Sequence, residues 1–195
     1  MQYSGSVRLS FARTRSRHLS PLSCHDDGFT LIELIIVAGL IAVLASFALP
    51  SLLRARTNGR ETAAVAALRA VNDAQASYAS VCGGGAFAVL LPTLSVPPPG
   101  SQAGFLSPDL TLDPSPIKSG YQFSLAAGAE GKDGPADCHG TPTNTAYYVT
   151  AAPVELSAHG GRAFASSQER GIWQDTTGVP PTEPFTASAT VTELR

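Results

Sequence analysis

Phe29-Thr30-Leu31-Ile32-Glu33 opens a stretch that stays apolar to Leu49 and holds one carboxylate, Glu33. A basic, polar stretch ends immediately before it, at Gly28. As a helix, residues 29–49 reach about 31 Å, close to the ~30 Å thickness of a bilayer's hydrocarbon core, so the stretch reads as a membrane span. A carboxylate inside such a span costs up to ~3 kcal/mol on insertion scales, which makes Glu33 a functional candidate in need of a partner. An ordinary secretory signal peptide is the competing reading. The run is longer than a typical signal-peptide core, and no small-x-small site of the Ala-x-Ala kind stands at its C-terminal end.

Gly28 followed by Phe29-Thr30-Leu31-Ile32-Glu33 and an apolar helix resembles the class III signal of type IV pilins and type II secretion pseudopilins. The resemblance continues at Pro50, where such pilins commonly kink, and through Ser51-Leu52-Leu53-Arg54-Ala55-Arg56. It covers Gly28 to about Cys82. It implies cleavage between Gly28 and Phe29 by prepilin peptidase and methylation of the new Phe29 amine. It also implies residence in the inner membrane among its lipids, then addition by the membrane assembly machinery to a fibre of copies of this chain or related pilins. In such a fibre the Phe29 amine of a neighbouring copy neutralises Glu33. The fibre is a cell-surface pilus or a periplasmic pseudopilus, so secretion pseudopilin or minor pilin stands as the alternative assignment. A single-span envelope enzyme is the alternative from another class. Two features depart from the family: the leader is long, and Asp26 and Asp27 stand where Lys or Arg is usual, which points to a start of translation later than Met1.

The expected organisation is a leader at 1–28, a transmembrane and polymerisation helix at 29–49, its amphipathic continuation at 50–81 and a globular domain at 82–195. That leaves room for one small core and not for a large enzyme. Of the charges, Arg8, Arg13, Arg15 and Arg17 oppose Asp26 and Asp27 in the leader, and the remainder is mildly acidic. An acidic domain argues against nucleic acid as a partner, because releasing counterions from phosphates needs a basic face. With Cys24 in the leader, Cys82 and Cys138 are the remaining cysteines, and their pairing fits an oxidising compartment. Two unpaired buried thiols are the alternative.

Past Pro50, Leu68, Val71, Ala74, Gln75 and Tyr78 recur at three- and four-residue spacing, an amphipathic helix whose stripe packs on a sheet, with Arg60, Glu61, Arg69 and Asp73 expected on the solvent side. Pro50 and Asn58-Gly59 predict local melting between them. Cys82-Gly83-Gly84-Gly85 ends the helix; without a preceding strand or a following Lys-Ser/Thr it is no phosphate-binding loop. Prolines make residues 86–118 a surface loop. Four strands are expected, at 121–125, 146–151, 162–166 and 171–174, the last two a hairpin through Ser167-Gln168-Glu169-Arg170. Glu130 to Asn144 is a long loop tied down by Cys138, and the tail after Gly178 is expected to wrap the surface loosely. The fold class is therefore α+β and pilin-like, a long N-terminal helix on a small antiparallel sheet.

Catalytic chemistry is sparse, and no enzyme activity or cofactor is expected. His139 and His159 lie beside Gly in predicted loops and outside any nucleophile or metal motif. Asp133 with Asp137, and Asp109 with Asp113, offer loop oxygens of the kind calcium takes, but their spacing matches no defined loop. Tyr147, Tyr148, Phe164 and Trp173 are expected in the core rather than on an adhesive surface. Phe29, Phe47 and Tyr78 are too few along the helix for a conducting fibre. Arg54, Arg56 and Arg60, just outside the span, suit lipid headgroups or neighbouring subunits better than DNA.

Overall fold

A computed structural model describes residues 28–155 and 161–194. The chain divides into two units, residues 1–44 and residues 45–195. One helix, α1 (Leu31–Val81), belongs to both and is unbroken through Pro50 and Gly59. The expected melting between those residues does not occur. Pro50 removes only a single backbone donor, and the Thr57 and Thr62 hydroxyls donate to the carbonyls of Leu53 and Asn58 without breaking the helix.

In the first unit, Thr30 caps the helix: its hydroxyl oxygen accepts the Glu33 N–H at 3.2 Å, and its carbonyl accepts the Leu34 N–H. Thr30-x-x-Glu33 is the spacing of a capping box, so the sequence that begins the apolar run also starts the helix.

The second unit packs the later turns of α1 on a six-stranded antiparallel sheet in which every strand pairs with the one before it. The strands are β1 (Ile117–Lys118), β2 (Tyr121–Ala127), β3 (Tyr147–Pro153), β4 (Ala163–Ser167), β5 (Ile172–Asp175) and β6 (Val191–Leu194). Four had been expected from the sequence. The added β1 is a two-residue strand closed on β2 by Ser119-Gly120, both in the left-handed region (φ 53° and 82°), as a two-residue hairpin loop requires. The added β6 corrects the expectation of a loose tail. Val191–Leu194 pairs with β5, the Tyr148 hydroxyl donates to the Pro181 carbonyl at 2.7 Å, and the Phe185 ring stacks on Trp173 at 5.6 Å. The β4–β5 hairpin turns at Ser167-Gln168-Glu169-Arg170, where the Arg170 N–H reaches the Ser167 carbonyl at 2.8 Å.

Tyr121, Phe123 and Leu125 of β2 face the core while Gln122 and Ser124 face out, and α1 covers them with Ala64, Ala67, Leu68, Val71, Ala74 and Tyr78. Alanine at three of these six positions lets helix and sheet approach closely. Two polar residues share the stripe and are fully used. Gln75 exchanges two hydrogen bonds with the backbone of Ala88, at 2.7 and 3.0 Å, and Asn72 donates to the Ser166 hydroxyl while accepting from the Tyr147 hydroxyl. Short 3₁₀ turns at Leu91–Ser95 and Pro108–Leu110 add Leu91, Leu94 and Leu110 to the core.

Glu61 is the clearest departure from the expected pattern. It is 6% exposed rather than on the solvent side, and it accepts from the backbone N–H (3.1 Å) and Nε (3.0 Å) of Arg162, whose Nη1 donates onward to Gln174. Its position explains why: 61, 64, 68, 71, 75 and 78 form one three-four stripe, so Glu61 continues the buried face by one more step. Glu61→Ala is expected to lower the unfolding free energy by about 2 kcal/mol, because hydrogen bonds to charged groups contribute ~1.5–3 kcal/mol and Arg162 stays partly solvated. Urea titration of Glu61→Ala against Glu61→Gln checks it, with the glutamine variant, which keeps an acceptor, losing less.

Candidate functional site

The candidate site is the segment that opens α1. Nothing lies within 4 Å of a Cβ built at Gly28, and Phe29 is 82% exposed. Leu31, Ile32, Leu34, Ile35, Ile36, Leu40, Ile41, Val43, Leu44, Phe47 and Leu49 are all exposed, and none of the most hydropathic window of α1 is buried. A row of large aliphatic side chains with no core to enter is the signature of a helix made for lipid or for other helices. Glu33 stands in the first turn, where the helix dipole favours a negative charge. Among the described residues it makes no ion pair.

Residues 25–49 match the family model described as the prokaryotic N-terminal methylation motif. Comparison with curated proteins and with solved structures gives no match. The segment is therefore the signal of type IV pilins and secretion pseudopilins, set on an α+β, pilin-like fold. The motif supports a pilin-like or pseudopilin substrate of prepilin peptidase, and the apolar helix fits insertion into a membrane.

The other sequence candidates lie in the second unit. Cys82 and Cys138 are joined in a disulfide with Cα atoms 4.9 Å apart, and His139 lies beside it. Those three residues have the proximity of a metal cluster, but a disulfide sulfur carries no thiolate to ligate an ion. His139 instead places Nε2 3.0 Å from the Pro97 carbonyl, and His159 lies outside the described residues. Asp137 is engaged from three sides, by the Tyr78 hydroxyl at 2.8 Å and by the backbone N–H groups of His139 and Thr141. Asp109 pairs with Lys118, and Asp113 accepts the Ser115 N–H, so three of the four carboxylates considered for calcium are held by protein donors. Tyr147 and Phe164 are core residues. Tyr148 and Trp173 are half-buried and meet Phe185 of the tail. Tyr78 is buried edge-on against Phe105.

Sequence reasoning missed the junction formed by Tyr78, Asp137 and the disulfide at the C-terminal end of α1. Tyr78 lies four residues before Cys82 and Asp137 one before Cys138, so the disulfide delivers the carboxylate to the hydroxyl. Burial raises the Asp137 carboxyl, but the Thr141 N–H, the Tyr78 hydroxyl and the His139 N–H outweigh it and hold its pKa below the ordinary 3.8. Burial first, and Asp137 second, push the Tyr78 hydroxyl well above its usual range. A carboxylate with a depressed folded pKa contributes stability above its unfolded value, and that contribution is lost as pH falls through the folded value. The stability difference between wild type and Asp137→Asn is therefore expected to be full at neutral pH and to shrink below about pH 4. Urea midpoints of both proteins measured across that range check it; a difference constant with pH would mean that the carboxylate charge contributes nothing.

Breaking the disulfide tests the same junction. Cys138→Ser is expected to cost about 2–5 kcal/mol. Non-reducing mass mapping of exported wild type is expected to link Cys82 to Cys138.

Proposed function

We propose that this chain is the structural subunit of a pilin-type fibre, cleaved between Gly28 and Phe29, methylated on the Phe29 amine and polymerised through residues 29–49. The observation that carries this reading is the coincidence of the methylation motif with a wholly exposed aliphatic helix bearing one carboxylate. The exposed surface has two successive environments, acyl chains before assembly and the same segment of neighbouring copies afterwards. Burial among copies removes water from that apolar surface.

Glu33 gives assembly its register. An incoming copy brings the cationic amine of Phe29 into the fibre core, and the carboxylate of a copy already in place neutralises it. Stranding one partner of such a buried pair costs about 3–5 kcal/mol, whereas the same carboxylate is a burden in a lone span. Residues 50–81 carry the helix out of the membrane, Pro50 provides the site for a bend, and residues 82–195 form the outward-facing globular part.

Mass analysis of protein from a host with prepilin peptidase is expected to show residue 29 at the N-terminus with a methyl group. Gly28→Leu is expected to block processing by crowding the scissile bond. Glu33→Leu is expected to insert and be processed normally, since its span is more apolar, yet to yield no filaments in sheared surface or periplasmic material. Filaments of normal abundance from Glu33→Leu would overturn the role of the carboxylate; a mature chain beginning near Arg54 would overturn the reading as a whole.

A further inference from the structure

We propose that Arg56, Arg60 and the Ser119-Gly120 turn form a binding site for the phosphate headgroup of an anionic phospholipid, occupied while the chain waits in the membrane. The inference rests on the reading of residues 29–49 as a membrane span and adds a lipid ligand to it.

The site is an open concavity of about 600 Å³ between α1 and the β1–β2 turn, lined by Arg56, Gly59, Arg60, Ala63, Ser119 and Gly120. Arg56 and Arg60 sit one turn apart on the same face of α1, both exposed, and among the described residues neither makes an ion pair. Like charges at this spacing repel each other, so an anion between them relieves an unfavourable contact as well as forming new ones. The other arginines of the sheet region are spent differently: Arg162 on Glu61 and Arg170 on Asp73. The turn completes the cradle. Gly120 has φ +82°, and a Cβ built there would lie 3.6–3.7 Å from Cδ, Nε and Nη1 of Arg60, so the arginine side chain rests against a stretch of bare backbone. Ser119, exposed beside it, adds a hydroxyl donor.

Depth along the helix selects a lipid over other phosphates. Leu52, Arg56 and Arg60 follow one another at four-residue spacing, and Leu52 and Leu53 are exposed apolar residues that extend the aliphatic run past Pro50. Counting from Leu53, Arg56 lies about 4–5 Å and Arg60 about 10 Å further along the axis. A headgroup layer is roughly 5–7 Å thick on each side of the hydrocarbon core. Side chains on a helix lean toward its N-terminus, here toward the membrane, so both guanidinium groups are directed back to phosphate level. Each arginine near an anionic surface favours it by about fivefold.

The test uses the processed full-length chain in nanodiscs of phosphatidylcholine with a minority of phosphatidylglycerol, followed by quantification of the lipid retained after transfer to detergent. Wild type is expected to retain phosphatidylglycerol above its bulk proportion, by about fivefold for each arginine engaged. Arg56→Gln with Arg60→Gln is expected to return the ratio to bulk, while Arg69→Gln, an exposed arginine further along α1, keeps it. Retention at the bulk ratio by wild type, or equal loss in the Arg69 variant, overturns the site. Inorganic phosphate is the second arm: in pure phosphatidylcholine discs it is expected to leave the Arg60 side-chain NMR signals unmoved. Shifts that saturate with phosphate would make this a free-anion site and overturn the lipid assignment. All measurements are made before assembly, so their failure is separate from a failure of Glu33→Leu to abolish filaments.

Discussion

The exposed aliphatic surface of residues 29–49 is the constraint on which everything else depends. Burying one large aliphatic side chain is worth about 1.5–3 kcal/mol, and more than ten of them stand exposed on this one stretch of helix. That surface fits insertion into a hydrocarbon phase. The second unit is built separately. Its own core is closed by alanines and aromatics between the later turns of α1 and the sheet, and among the described residues no buried side-chain polar atom is left without a partner.

Much of this was legible from the sequence because the features responsible are local. Thr30-Leu31-Ile32-Glu33 announces both the signal and the helix start, Cys82 with three glycines announces its end, and the alternation from Tyr121 to Leu125 announces a strand with one buried face. What escaped was either too short to show a period or set by a distant partner. β1 has two residues, too few for a repeat of two to show, and β6 follows Pro180, Pro181 and Pro184, so its identity as a strand comes from β5 beside it. Glu61 reads as a solvent-side charge until Arg162, a hundred residues away, arrives to pair with it. The three-four stripe did contain the clue, since it continues upstream from Ala64 to Glu61.

The functional segment shows the opposite balance. Its chemistry was read from a short contiguous motif, while the structure contributes the exposure of Phe29 and the position of Glu33 in the first helical turn. That position matters physically. The unpaired N–H groups of a helix start favour negative charge beside them, and Glu33 lies within that first turn.

The sheet's strand order has a consequence for how the exported part reaches its final form. Each strand pairs with its immediate predecessor, so the sheet needs no long-range crossover and can grow by successive hairpins. The helix stripe, by contrast, collects its partners in stages, first Ala88, Leu91, Leu94 and Leu110 and then the sheet from Tyr121 onward. The disulfide spans 56 residues and ties the last turn of α1 to the loop that precedes β3. Closing this disulfide therefore shortens the loop whose ends must meet when sheet docks on helix.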